Sequence, residues 1–432
     1  MSDSSSDSNA IWRFIPVSDY KVPTEPPAER IRTGLVALWH RLRRGATTLT
    51  AEQDTEETEE EEDIQQDPGK IAPWPEWTDA GVDALDDALE SWRAADVDRA
   101  GSRVLVAPPH SHVEMILEAW AKRHDYRILE PPTYGDILQE PERWLDQLPL
   151  ESGAPFVLVA LERCYLRHYN GLDLVRRLVQ RLWQANQPCV LGCDSWAWAY
   201  LDFACQISML DPAPLTLAPL DAPAISRWIA TASPTPDSAP DSAAHTANGG
   251  QLPVYRRMDS GVLVYPIHDE HAPQNGNHNG EDTDKVTSEF LVHIAAHARG
   301  IPGVAWALWR KSLALTQQHE VKSAARKAAA QDPGTTVWVK KWETVELPAI
   351  PARLSDLGAF ALHAILLHGG LRFEEIEYLV PGGALQIAHD LRALEAAQII
   401  SSDQGRFYVT PQGYPTARAF LQEEAFMIGA LG

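Results

Sequence analysis

The segment Ala107-Pro108-Pro109-His110-Ser111-His112-Val113-Glu114 follows a short apolar run, Arg103–Ala107, and leads into a helical pattern that lasts to about Arg123. A loop in this place grips phosphate when glycines let backbone N–H groups wrap it, a lysine neutralises it and a hydroxyl holds magnesium, in the spacing G-x-x-x-x-G-K-[ST]. Here Ala107 and His112 stand at the glycine positions, Val113 at the lysine and Glu114 at the hydroxyl. Every position that does the chemistry is occupied by the wrong type. A second group follows the next apolar runs. Glu162, Arg163 and Arg167 come after Phe156–Ala160, and Asp194 and Ser195 come after Cys189–Gly192. Strand ends of this kind are where α/β sheets place ligands. These residues therefore suit either an internal salt-bridge network or a remodelled small-ligand pocket. Ser195 lacks the flanking glycines of a nucleophile elbow, so it is no hydrolase signal. His110 and His112 would share a face only on a strand. In a loop entering a helix, they and Glu114 read as polar residues at a helix start, and no metal is expected. Cys164, Cys189, Cys193 and Cys205 supply neither a zinc quartet nor a disulfide framework.

The elements that must position these residues alternate regularly. Asp79–Trp92 is an amphipathic helix, Tyr126–Leu129 a second short strand, and Tyr134–Leu148 contains helical turns. Phe156–Ala160 is a third strand, and a long helix covers about Gly171–Ala185. Cys189–Gly192 is a fourth strand, with a helix beginning near Trp196, and Leu215–Leu217 is a candidate fifth. Short continuous apolar strands between helices predict an α/β fold with a parallel sheet covered on both faces. Helices resume over Ser288–Leu315, and Val321–Ala330 reads as a polar Lys/Ala-rich helix. The last 80 or so residues then give three helices (Leu357–His368, Phe373–Leu379, Ala384–Ala396), a hairpin around Asp403–Gly405 and a closing helix, Thr416–Glu424. That order is the winged-helix pattern. Among the 15 tryptophans, Trp183, Trp196, Trp198 and Trp228 fall in helical apolar segments and are expected in the core. Trp306, Trp309, Trp338 and Trp342 suit either core or interface.

The chain has 432 residues with 60 acidic and 37 basic side chains, a net charge of −23. Such a charge disfavours a general nucleic-acid or anionic-membrane surface. Within Leu354–Phe426 nine acids face four bases, so the winged helix is expected to contact protein or pack on the lid rather than bind DNA. No apolar stretch reaches the roughly 18 residues a bilayer crossing needs, and the polar, acidic N-terminus is no secretory signal. A reducing, cytoplasmic setting is expected. Residues 1–70 read as mostly disordered, although Ile11, Trp12, Phe14 and Ile15 form an apolar cluster able to dock. Within them lie a basic helix, 30–44, and nine acids between Glu52 and Asp63. Arg30, Arg32, Arg41, Arg43 and Arg44 on that helix are candidates for an acidic partner or for the chain's own acidic run. Residues 232–285 are a low-complexity insertion around an island, Leu252–Ile267, that could hold a strand.

From the loop onward the chain resembles degenerate P-loop ATPases of the AAA+ and STAND branch, in an origin-recognition-like layout. The resemblance implies a P-loop-like α/β core over 74–220, a helical lid over 221–330 and a winged-helix domain over 345–432. In that family two acids end the third strand. Leu161-Glu162 keeps only the second, which would polarise water in an active enzyme. Asp194 and Ser195 match a phosphate sensor after the fourth strand. Leu215–Ile229 resembles the passage into the lid, and Ala296–Arg310 the segment before a nucleotide-sensing arginine. Trp306 stands at the arginine site, with Arg310 as the remaining lid sensor candidate. With the lysine, the hydroxyl and the first acid missing, the resemblance implies a non-hydrolysing scaffold or regulatory adaptor with protein partners and no cofactor. An ATP- and magnesium-binding switch with an unconventional loop, and a winged-helix DNA-binding regulator, are the alternatives.

Overall fold

A computed structural model describes residues 10–24, 76–94, 101–150, 153–185, 187–232, 254–261, 263–264, 288–314, 336–380 and 382–431. The basic segment 30–44, the acidic run 52–63, the segment 321–330 and most of the insertion 232–285 lie outside these residues.

The core is a six-stranded sheet. In chain order its strands are β1 (Phe14–Pro16), β2 (Ser102–Ala107), β3 (Arg127–Leu129), β4 (Phe156–Leu158), β5 (Cys189–Asp194) and β6 (Leu215–Leu217). Their spatial order is β1-β6-β2-β5-β4-β3, with all neighbours parallel except the antiparallel β1–β6 pair. Burial explains the continuous apolar runs. Leu105, Val157 and Val190 point into one apolar cluster, while Val104, Val106, Phe156, Leu158, Cys189 and Leu191 point into a second on the opposite face. A strand alternates its side chains between faces, so a sheet covered on both needs apolar residues at every position.

The first face is covered by α1 (Thr78–Arg93) and α2 (Val113–Arg123), whose Leu85, Leu89, Ile116, Leu117 and Trp120 are fully enclosed. The second is covered by α3 (Tyr134–Leu138), α4 (Pro141–Leu145), α5 (Asp173–Ala185) and α6 (Ser195–Cys205). Trp196, Trp198 and Trp228 are buried as expected, and so are Trp306 and Trp309, while Trp338 and Trp342 are half-buried. Trp183 departs from the expectation and is 58% exposed. The buried stripe of α5 is Leu174, Val175, Leu178, Val179 and Leu182, and Trp183 falls just past its edge.

The N-terminal apolar cluster does dock, and it does so as a strand. Phe14–Pro16 pairs along β6, and the Trp12 ring stacks on Trp77 at 3.8 Å with Trp228 edge-on at 5.4 Å. The lid comprises α7 (Ala222–Ala232), α8 (Glu289–His297) and α9 (Pro302–Ser312). The last two are separated at Arg299 and Gly300, both in the left-handed region. A small sheet joins it, in the order β7 (Val254–Arg257), β9 (Thr336–Val339), β8 (Leu313–Ala314). The C-terminal winged helix contains α10 (Asp356–Leu367), β10 (Leu371–Arg372), α11 (Phe373–Leu379), α12 (Ala384–Ala396), β11 (Ile400–Asp403), β12 (Arg406–Val409) and α13 (Tyr414–Glu423). Among the described residues no helix is long and apolar enough to cross a membrane.

Candidate functional site

The loop after β2, the turn after β4 and the end of β5 converge at the carboxyl edge of the sheet around a cavity of about 330 Å³. Ala107, Pro108, Pro109, His110, Ser111, His112, Val113 and Glu114 line it, together with Glu162, Arg163 and Asp194. Sequence reasoning thus brings the loop and both strand-end carboxylates to one place. It did not foresee the roof, which is the winged helix: Ile365, Leu366, Gly369, Gly370, Tyr408 and Val409 close the cavity.

Local geometry commits two of the loop's backbone groups to partners within the protein. His110 and His112 are both left-handed, at φ 64° and 59°, a costly conformation for residues other than glycine. The Ser111 N–H donates to the Pro108 carbonyl at 3.2 Å, and the His110 carbonyl accepts from the Gly303 N–H at 3.0 Å. Gly303 is required at the start of α9, since a Cβ there would lie 2.5 Å from the His110 oxygen. The lid helix therefore seats directly on the loop. His112 precedes α2 but makes no side-chain capping bond. Burial holds the His110 imidazole neutral, its pKa lowered to about 3, and lowers that of His112 as well.

The carboxylates are the cavity's dominant polar groups. Glu162 is 4% exposed and accepts the Asp194 N–H at 3.0 Å. Burial first, then the neighbouring Glu114 and Asp194 charges, push its pKa well above the usual carboxylate range. Asp194 caps α6 by accepting the Trp196 N–H at 2.7 Å. Part of Asp194 is accessible, but protein surrounds its carboxyl, and burial raises its pKa to about 8. Arg163, a cation of the cavity wall, lies 3.7 Å from the Glu114 carboxylate. The Ser195 hydroxyl is buried with no hydrogen-bond partner and stands where the Gly429 backbone passes, away from the cavity lining. Arg310 does not line the cavity either. Among the described residues no cluster of three metal-ligating side chains occurs.

Two histidines of the winged helix lock it to the turn after β4. The His368 Nε2 accepts the Arg167 N–H at 3.3 Å and its Nδ1–H donates to the Glu162 carbonyl at 3.4 Å. Arg167 donates from Nη1 to His363 Nδ1 at 2.7 Å, leaving the His363 Nε2–H to donate to the Met427 carbonyl at 2.9 Å. Both rings are neutral. Burial, with the Arg167 charge nearby, lowers His363 to about 4 and His368 to about 3. The Tyr165 hydroxyl donates to the Leu367 carbonyl at 2.9 Å, and the Trp196 indole N–H donates to the Tyr414 hydroxyl at 3.2 Å. Gly370, at φ 108°, allows the close approach of Tyr408, whose ring carbon would lie 2.3 Å from any added Cβ. No sequence signal announced these contacts, because their partners lie far apart in the chain, some two hundred residues for those between the core and the winged helix.

No family model matches this chain, and no curated protein matches it. Solved structures to which it is similar include Cdc6p from Pyrobaculum aerophilum, with 12% identity, 83% of this chain and 98% of that chain covered, and a TM-score of 0.29. The Thermotoga maritima RuvB Holliday junction branch migration motor shows 13% identity, 81% and 94% coverage, and a TM-score of 0.28. The Aeropyrum pernix Orc1 protein in complex with DNA shows 12% identity, 82% and 94% coverage, and a TM-score of 0.30. At such TM-scores the likeness carries no argument. The α/β core, helical lid and winged helix stand on the strand order and contacts above.

Proposed function

We propose that this chain is a non-hydrolysing AAA+/STAND-like scaffold or regulatory adaptor that acts through protein–protein contacts, with its lid and winged helix held on a disabled phosphate site. One observation carries the reading. The cavity at the strand ends is lined by Glu114, Glu162 and Asp194, its Arg163 stands against Glu114, and the winged helix roofs it.

The residues present do not fit a triphosphate with magnesium. Such a ligand needs amide donors and cations converging on it. Here the Ser111 and Gly303 N–H groups are spent within the protein, both loop histidines are held neutral, and three acids face the space. Glu162 could polarise water only as a carboxylate, and burial favours its protonated form. The DNA-binding reading has less support. The exposed face of α12 offers Gln386, His389, Arg392 and Glu395, too little positive charge to hold phosphates before bases are read.

Titration calorimetry of the full chain with ATP and magnesium tests the proposal, the expected result being no saturable binding that depends on Glu162. Micromolar binding abolished by Glu162→Gln would overturn it. If the adaptor reading holds, the intact chain co-purifies with a protein partner, and winged-helix surface variants lose that partner without loss of fold.

A further inference from the structure

A second concavity, of about 520 Å³, opens between α9 of the lid and the winged helix, on the far side of the His110–His112 loop from the acidic cavity's floor. We infer that this groove binds a small molecule carrying a doubly charged oxyanion, of which a phosphate monoester is the type. The inference is independent of the scaffold reading and concerns a different part of the surface.

Its chemistry inverts that of the neighbouring cavity. Arg310 and Lys311 project from the last turn of α9, Gln398 and Gln412 offer amide donors from the opposite wall, and His112 closes one end. Among the described residues no Asp or Glu lines the groove, in a chain whose net charge is −23. Among the described residues neither Arg310 nor Lys311 makes an ion pair. Among the described residues the Arg310 Nε and the His110 Nε2 have no hydrogen-bond partner, and both are buried. Two cations at a helix C-terminus also offset the partial negative charge there. A planar guanidinium beside an ammonium is the geometry that grips a phosphate or carboxylate by paired charge-assisted bonds. Trp306, Ala307 and Pro411 supply an apolar wall for the rest of the ligand, and the volume lies in the range of small-molecule sites.

The test is titration of the full chain with phenyl phosphate, followed by calorimetry and by thermal stabilisation, with inorganic phosphate as competitor. Saturable binding is expected, weakened about tenfold or more by Arg310→Gln and to a lesser degree by Lys311→Gln, as loss of a charge-assisted pair implies. The melting temperature without ligand should be unchanged in both variants. Arg143→Gln, which removes an exposed arginine elsewhere, should bind as the native chain does. Three results would overturn the assignment. One is the absence of saturable binding. Another is an equal loss in Arg143→Gln, which would mean generic charge attraction. The third is Arg310-dependent retention of duplex DNA or an acidic peptide by a chain that ignores phenyl phosphate.

Discussion

Replacing Asp194 by asparagine separates its two roles cleanly. As a helix cap, asparagine accepts the Trp196 N–H as well as aspartate does. As an acid, Asp194 keeps its proton in the folded chain up to about pH 8, whereas the unfolded chain releases it near the ordinary value of 3.8. The sign follows. Between those two values the folded state binds more protons, so stability falls as pH rises, by about 1.4 kcal/mol per pH unit for each retained proton. His110, His363 and His368 act in the opposite direction, because their lowered values leave the unfolded chain the more protonated as pH falls through the ordinary value of 6.5. In the window from pH 6.5 to 8 the histidine contribution fades and is common to the native chain and Asp194→Asn, so their difference isolates Asp194. Across it Asp194 removes roughly 2 kcal/mol from the native chain, and Glu162 adds a loss of the same sign. Urea titrations followed by tryptophan fluorescence at several pH values should show a shallower decline for Asp194→Asn, and greater stability than the native chain at pH 8. Parallel declines in the two proteins would refute the claim that the buried Asp194 carboxyl holds a proton.

Other outcomes follow from the same contacts. Gly370→Ala forces a Cβ into the Tyr408 ring at a left-handed position, and should cost about 2 kcal/mol or more in chemical denaturation. Tyr165→Phe deletes a buried bond between the core and the winged helix and leaves the Leu367 carbonyl unpaired, a loss of about 1–3 kcal/mol by the same measurement. Trp12→Ala removes the ring stacked on Trp77 and should free the β1 segment to limited proteolysis, at a cost of about 3 kcal/mol. Below pH 6.5 the three buried histidines pull stability down as pH drops, against the opposite pull of Asp194 and Glu162, and His363→Gln should lessen that downward pull in denaturation curves.

The sheet and the winged helix were legible because burial on both faces writes itself into consecutive residues, as in Arg103–Ala107 and Cys189–Gly192. The defects of the loop at His112, Val113 and Glu114 were legible because the chemistry of phosphate binding is local in sequence. β1 was not. A three-residue strand containing Pro16 has no periodicity to detect, and its pairing with Leu215–Leu217 is long-range. Trp183 misled for a related reason: apolar neighbours in sequence do not say which side of α5 a residue takes. The roof over the cavity was illegible too. His363 and His368 have ordinary local contexts, and only the folded chain brings them to Glu162 and Arg167.

One apolar cluster runs without interruption from Leu105 and Leu117 through Trp228 and Trp306 to Leu362, Leu391 and Leu421. Core, lid and winged helix thus hold a single oily interior in common. A fragment cut at either of the two apparent boundaries would bare a large sticky face to water and tend to clump. On heating, the intact chain should come apart in one calorimetric peak.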